Sequence, residues 1–288
     1  MYEIIVNPVA GNGRAAETAK KISAYLSDKG IEYRMSVPEN REQTTAVASR
    51  AAEDPAVTAI IGIGGDGTDF DIACGLSKSG KPLGIIPAGT GNDFVKSIGI
   101  PQNPIEAMDF ILNHKPRPVD IGMINDRIFL NVCGTGFDVT VLDYAEKEKK
   151  KHSGLTPYLI GLIKAIAHYK PVNIELTVDE KTIDRQCLIC SVANGRWIGG
   201  GIPICPEAKP DDGYFDVVVI DDRPKWMIPL YLPGLLLGKD LKFKITKHIL
   251  AKHVNIASEG MRLNIDGEVI GMDRAEFSIL PGDLMLYW

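Results

Sequence analysis

The sequence predicts an α/β domain followed by an all-β domain: an N-terminal parallel sheet with helices on both faces, then a β-sandwich. Three observations predict it. Up to residue 117, apolar strand runs alternate with amphipathic helical runs across short loops, the pattern of a parallel sheet. Three of those strands run into glycine clusters. Beyond Pro116, strand runs dominate at short spacing with turn residues between them, as in an antiparallel sandwich. The division is therefore placed at 1–117 and 118–288, with the last strand a candidate to complete the first domain.

In the first domain, residues 3–6 read as a strand and 14–29 as a helix with Ala15, Ala19, Ile22 and Leu26 on one face. A strand at 31–37, a helix at 44–53 and a strand at 58–63 follow. Then come a helix at 69–77, a strand at 82–86 and a helix at 104–113. In the second domain, strands are expected at 119–124, 127–133, 173–178, 187–193, 214–220, 242–247, 253–257, 261–265 and 276–280. Two helices interrupt them, at 140–152 and 157–169.

Composition narrows the partners. The 288 residues are 45% hydrophobic and 24% charged, as in ordinary globular chains. Net charge is -5, so no global basic field exists to attract nucleic acid. Of the five cysteines, Cys187 and Cys190 have CxxC spacing but lie in a strand-like run, with no second pair to complete a zinc site. Five histidines show no ligand spacing. The first residues, MYEIIVNP, read as a strand rather than a signal peptide, so a cytoplasmic protein is expected. The longest apolar stretch, 226–237, is too short to span a bilayer and contains Pro229, Pro233 and Gly234. The run 225–239 could lie on a membrane surface with Trp226 and Tyr231 at the interface, but packing into the core is the expectation. The basic run 146–152, EKEKKKH, reads as a solvated helix face.

The chemistry lies in the glycine clusters. A strand opens into Gly64-Gly65-Asp66-Gly67-Thr68, and another into Pro87-Ala88-Gly89-Thr90-Gly91-Asn92-Asp93. A loop that lays backbone N–H groups against phosphate cannot carry side chains that block the approach. Asp66 adds a carboxylate able to hold a phosphate-bound Mg²⁺, so a nucleotide triphosphate site is expected. Asp93 also suits a helix N-cap. A third cluster, Asn7-Pro8-Val9-Ala10-Gly11-Asn12-Gly13-Arg14, puts a helix N-terminus at the first strand end, suited to an anion. It is not the dinucleotide GxGxxG, and Ser36 and Val37 stand where an acidic residue would end the second strand. Late in the chain, Asp266-Gly267-Glu268 would put two carboxylates on one hairpin. Taken alone it is an ordinary Asp-Gly turn. Phosphoryl transfer to an alcohol, however, needs charge neutralisation and a carboxylate to take the proton.

Taken together, NPxxG, GGDGT, PAGTGNDF, Asn194-Gly195 with Gly199-Gly200-Gly201, Pro206-Glu207-Ala208, Asp212-Gly213 and Asp266-Gly267-Glu268 resemble the diacylglycerol kinase catalytic family of bacterial lipid kinases. The motifs keep the family's order and span essentially the whole chain. NAD kinases and phosphofructokinases share GGDG, but PAGTGNDF and the late DGE separate the lipid kinases from both. The resemblance implies ATP on the α/β domain and a lipid alcohol near the β domain. It implies that Asn7, Pro8, Gly11, Ser36, Gly64, Gly65, Asp66, Gly67, Thr68, Asp69, Phe70, Thr90, Asn92 and Asp93 serve the nucleotide, Asp66 also touching Mg²⁺ and acting catalytically. It implies a general base at Asp266 or Glu268, facing the glycine loops across an interdomain cleft. A second Mg²⁺ is implied at Asp212, aided by the carbonyls of Lys209 and Tyr214, and Lys164 matches a family lysine by position. Departures are Asn12 after NPxxG with Arg14 two further on, Ser36 for a threonine, and Asp71 for a glutamate.

The function expected is an ATP-dependent lipid kinase of phospholipid metabolism, peripheral at the inner membrane surface, with a homodimer a further expectation. The alternatives are a kinase of a soluble substrate such as NAD, a silent nucleotide-binding regulator, and a structural lipid-binding protein.

Overall fold

The computed structural model describes residues 1–149, 151–152, 156–239 and 242–288. The chain forms two compact units, Met1–Ile121 with Pro281–Trp288, and Gly122–Leu280.

The first unit runs β1 (Tyr2–Val6), α1 (Arg14–Asp28), β2 (Tyr33–Ser36), α2 (Arg41–Glu53), β3 (Ala59–Gly64), α3 (Asp66–Leu76), β4 (Leu83–Pro87), α4 (Asp93–Ile98) and α5 (Pro104–Asn113). The strands pair in the order β2-β1-β3-β4, all parallel. Every residue of β3 and β4 is buried, which is why both read as unbroken apolar runs. Caps set helix starts that periodicity alone misplaces. The Asn40 side chain accepts the Gln43 N–H at 2.9 Å, so α2 begins at Arg41 rather than 44. The helix α3 begins at Asp66 rather than 69, directly after Gly65 and with no side-chain cap, so the GGDGT carboxylate sits in the first helical turn.

Next, β5 (Arg117–Ile124) leads from the first unit into the second. There follow β6 (Arg127–Phe129), β7 (Val132–Gly136), α6 (Phe137–Lys149), α7 (Thr156–His168), β8 (Val172–Val178), β9 (Lys181–Ala193) and β10 (Phe215–Asp221). A short 3₁₀ turn then leads into α8 (Ile228–Leu236), β11 (Thr246–Ala251), β12 (His253–Ala257), β13 (Arg262–Ile265), β14 (Glu268–Gly271) and β15 (Arg274–Leu286). The long β9 serves both layers. Its first half pairs with β8, while its second half lies between β7 and β10.

Alternate residues of β9 and β10 face different cores. Cys190, Val192, Val217 and Val219 join Leu176, Val254, Leu263 and Phe277 in one cluster. Ile189, Ala193, Val218 and Ile220 join Phe137, Leu162 and Ile228 from α6, α7 and α8 in another. A layer buried on both faces gives no polar alternation, hence the run CLICSVA. All five cysteines are free.

Two expectations are corrected. The strand expected at 242–247 begins at Thr246, because Phe243 packs its ring on Tyr231 of α8, centroids 5.2 Å apart, instead of entering a ladder. The run 225–239 does not disappear into the core. Of the residues in α8 only Ile228 is buried, and Trp226 is 71% exposed. A helix apolar on all sides can bury only the face that meets its neighbours. In the basic run 146–152, Lys150 lies outside the described residues, and Glu148 accepts from Lys164 Nζ at 2.6 Å.

Candidate active site

The carboxyl ends of β1, β3 and β4 carry the three glycine clusters, and hydrogen bonds stitch them together. Asn7 Nδ2 donates to Thr68 Oγ1 at 3.1 Å, and Ala88 N–H donates to Gly64 O at 2.6 Å. Gly65 and Gly89 meet backbone to backbone: a Cβ built on Gly89 would lie 2.5 Å from Gly65 Cα. By contrast, a Cβ on Gly67 would meet nothing, so the bare backbone there is open to whatever approaches from outside. Arg14 lies over this surface. Its Nη2 donates to Gly89 O at 2.6 Å and its Nε to Gly11 O at 3.1 Å. No ion pair to Arg14 occurs among the described residues, so its charge is available to an anion.

Asp66 joins two of the clusters. Its Oδ2 accepts the Asn92 N–H at 2.8 Å and its Oδ1 the Phe94 N–H at 3.3 Å, capping α4. Burial, and then the charge of Asp93, push its carboxyl above the usual range. A cation at this carboxylate pair would relieve both effects, and carboxylate oxygens suit Mg²⁺. Asp93 in turn takes Lys96 Nζ at 3.3 Å. Not every expected residue reaches the loop surface. Asp69 is buried beneath it with neither oxygen hydrogen-bonded, and burial pushes its carboxyl well up. Phe70 is buried. The Ser36 hydroxyl is turned to Glu3, donating at 2.6 Å. Asp71 takes Arg41 Nε at 2.9 Å. Thr90 is exposed.

In the second unit, Asp266-Gly267 forms the two-residue turn of the β13–β14 hairpin, with φ +48° and +94°. Its two carboxylates differ sharply. Asp266 accepts three backbone N–H groups, from Leu130 at 2.7 Å, Asn131 at 3.0 Å and Val132 at 2.9 Å. Glu268 is 46% exposed and takes Arg127 Nη2 at 2.6 Å. At the DG turn, Asp212 Oδ1 accepts the Tyr214 N–H at 3.0 Å. No group of three or more His, Cys, Asp or Glu side chains that could hold a metal occurs among the described residues.

The same unit holds an apolar cavity of about 290 Å³ between α6, α7, α8 and the glycine run 199–201. Leu159, Leu162, Ile198, Leu232 and Leu235 are among its walls. Its polar floor is Asp138 and Asn264. Asn264 Nδ2 donates to Asp138 Oδ2 at 3.2 Å, while Asp138 Oδ1 has no partner. Burial pushes the Asp138 carboxyl up to about 6. Asn264 Oδ1 accepts the Gly267 N–H at 2.8 Å, so one side chain ties the cavity floor to the DGE hairpin.

Family models match residues 2–124 as a diacylglycerol kinase catalytic domain, and residues 131–288 as a YegS C-terminal NAD kinase beta sandwich-like domain. This chain belongs to the diacylglycerol kinase and YegS-like lipid kinase family. It is 30% identical to the diacylglycerol kinase of Bacillus subtilis over 95% of this chain and 91% of that one. With the Mycobacterium tuberculosis diacylglycerol kinase it shares 28% over 98% and 93% of the two chains. A candidate YegS-like lipid kinase of Pseudomonas putida is 33% identical over 79% of this chain and 76% of that protein. A solved Bacillus anthracis structure, described as a candidate diacylglycerol kinase, superposes with a TM-score of 0.83 at 27% identity, covering 100% and 96% of the two chains. The α/β-plus-sandwich fold is therefore that of the lipid kinase family.

Sequence reasoning about this lipid kinase missed Arg14, Asp138 and Asn264 as site residues. Arg14 stands in the third glycine cluster and departs from the family pattern, but neither fact gives its side chain a role. Asp138 had a local signal: it stands in the first turn of a helix directly after a glycine-ended strand, as Asp66 does. Asn264 had none, because its two partners, Asp138 and Gly267, lie on different segments.

Proposed function

We propose that the chain is an ATP-dependent kinase that transfers the γ-phosphoryl group to a hydroxyl of diacylglycerol or a related lipid alcohol. The observation that carries the lipid half is the apolar cavity whose polar floor is hydrogen-bonded to the DGE hairpin. Its volume is near the low end of small-ligand sites, roughly 300–1,000 Å³. Such a pocket suits the acyl part of a lipid alcohol, with the polar end of the lipid toward Asp138 and Asn264, and is ill suited to NAD.

The chemistry follows from the residues. The glycine clusters at 7–14, 64–68 and 88–93 offer bare backbone to the ATP phosphates, and Arg14 adds a cation against them. Asp66 and Asp93 are the carboxylates that would hold Mg²⁺, which when bound neutralises developing phosphate charge. Asp212 with the carbonyls of Lys209 and Tyr214 would hold a second, structural Mg²⁺, an oxygen donor set of the kind that ion prefers. The lipid hydroxyl oxygen attacks the γ-phosphorus, and the bond from γ-phosphorus to the bridging oxygen breaks to release ADP. The hydroxyl proton goes to Glu268, the accessible carboxylate of the hairpin. Asp266 is a positioning residue, because three backbone amides already occupy its oxygens.

No described helix is long and apolar enough to cross a membrane. A water-insoluble substrate would then be met from the membrane surface, on its inner face. The deciding experiment offers radiolabelled ATP with a panel of lipid alcohols in mixed micelles, and NAD in parallel. Label is expected in a lipid. Label in NAD with none in any lipid would overturn the reading.

A further inference from the structure

The outer faces of α7 and α8 form an apolar surface that the described residues leave uncovered. On α8, Ile228, Tyr231, Leu232 and Leu235 pack inward at helical spacing. The opposite side is also apolar, with Leu230 at 66% exposure and Leu237, just past the helix end, at 66%. Trp226, just ahead of the helix, is 71% exposed. On α7, Leu159 and Ile163, one turn apart, are 59% and 63% exposed. Scattered exposed leucines are normal, but here six large apolar side chains are exposed on or beside two helices that wall the same cavity. Leu159 and the 42% exposed Leu236 each belong both to the cavity wall and to the exposed surface.

Charge distinguishes the occupant. Residues 223–247 hold six Lys and Arg against one Asp, a local net of +5 in a chain whose total is -5. Lys239, Lys242 and Lys244 are exposed just beyond α8. Most of the chain would be repelled by an anionic surface, and this segment is attracted to one. An exposed apolar helix face with a tryptophan at one end and lysines at the other suits a membrane interface, where the indole sits at headgroup level and the lysines meet anionic headgroups.

We infer that α8, with Trp226 and the outer face of α7, docks on an anionic lipid bilayer, so that the mouth of the apolar cavity opens onto the membrane. The choice of partner rests on the lipid-kinase reading. Docking needs no catalysis: Trp226, Leu230 and Leu237 enter the acyl boundary, and the lysines meet the headgroups. The substrate then moves from bilayer to cavity along apolar surface without crossing water.

The test uses the full chain and vesicles of phosphatidylcholine with or without phosphatidylglycerol, containing no diacylglycerol and no nucleotide. Co-sedimentation is expected with the anionic vesicles and far less with the neutral ones. Trp226 emission should shift to the blue on binding, a change absent in Trp226→Phe. The double variant Leu230→Glu/Leu237→Glu touches neither cavity wall nor hairpin. It should lose vesicle binding at least ~10-fold while keeping its melting temperature and its turnover of a short-chain soluble diacylglycerol. Equal binding by parent and double variant overturns the inference, as does a parent that ignores anionic vesicles. A parent that is dimeric in solution and split by the same variant overturns it too, assigning the face to a second copy. Vesicle binding without turnover of any lipid would leave the docking surface standing and remove the kinase reading.

Discussion

The polar surface at the glycine-loop end of the first unit comes from three short runs, 7–14, 64–70 and 88–93, each following a strand. The apolar cavity of the second unit is lined by six separate segments between Phe137 and Asn264. One site is built from backbone and the other from side-chain packing, and they should fail differently. Gly65 and Gly89 admit no side chain because two main chains touch there, so that site tolerates almost nothing. The cavity walls are aliphatic side chains, which can exchange for one another at small cost provided volume is kept.

The largest expected effect separates the two carboxylates of the hairpin. Glu268→Gln should lower kcat by roughly 10²–10⁴ with an unchanged melting temperature, since the side chain is half exposed. Asp266→Asn should lower both, because it weakens three backbone hydrogen bonds. A Glu268→Gln enzyme at full rate would remove Glu268 as proton acceptor.

Asp66→Ala comes next. A carboxylate with only a metal to hold could be deleted without harm to the fold. Asp66 instead caps α4, so its loss should abolish most turnover and also cost about 1–3 kcal/mol of stability. Calorimetry beside the ATP assay checks both. A melting temperature equal to the parent's would show that the cap contributes nothing.

Arg14→Gln tests the first region alone. Losing a charge-assisted phosphate contact of about 1.5–3 kcal/mol should raise KM for ATP roughly 10- to 100-fold. KM for the lipid should stay put. If lipid KM moves and ATP KM does not, the comparison between the two sites is drawn the wrong way round.

Asp138→Asn is the corresponding test of the second region, and its effect is smallest on ATP. The carboxyl titrates at about 6 in the fold and at roughly 3.9 in an unfolded chain. The folded state therefore binds the proton more tightly, and stability falls as pH rises between those values. At pH 7 the buried charge costs on the order of 3 kcal/mol, which the amide avoids. The variant should melt above the parent at pH 7 and level with it near pH 4. A constant difference at both pH values would mean the carboxyl is not buried charged. Lipid KM should rise, and ATP KM should not.

Legibility followed the same division. GGDGT and PAGTGNDF were readable because a glycine beside a strand end restricts what can happen locally. The DGE hairpin was readable as a turn for the same reason. The role of Asp69 was not, because whether a helix residue points out or under its loop depends on Gly62 of the neighbouring strand, against which it packs. Nor was the cavity, whose floor joins residues 138 and 264. The exposed face of α8 was misjudged from composition alone: an apolar run says that something must cover it, not what does.

Strand β15 has a consequence for synthesis. It begins in the second unit, and Pro281–Trp288 belongs to the first. There Leu286 pairs with Leu83 on β4, Asp283 takes the Ser77 hydroxyl at 2.7 Å, and the Arg117 guanidinium stacks 4.0 Å from the Trp288 ring. The edge of β4 therefore emerges from the ribosome long before its partner. At ordinary elongation rates the wait is roughly 10–40 s. During that interval the first unit is an unfinished sheet with an open edge strand of apolar side chains, and the first unit to be made is the last to be closed.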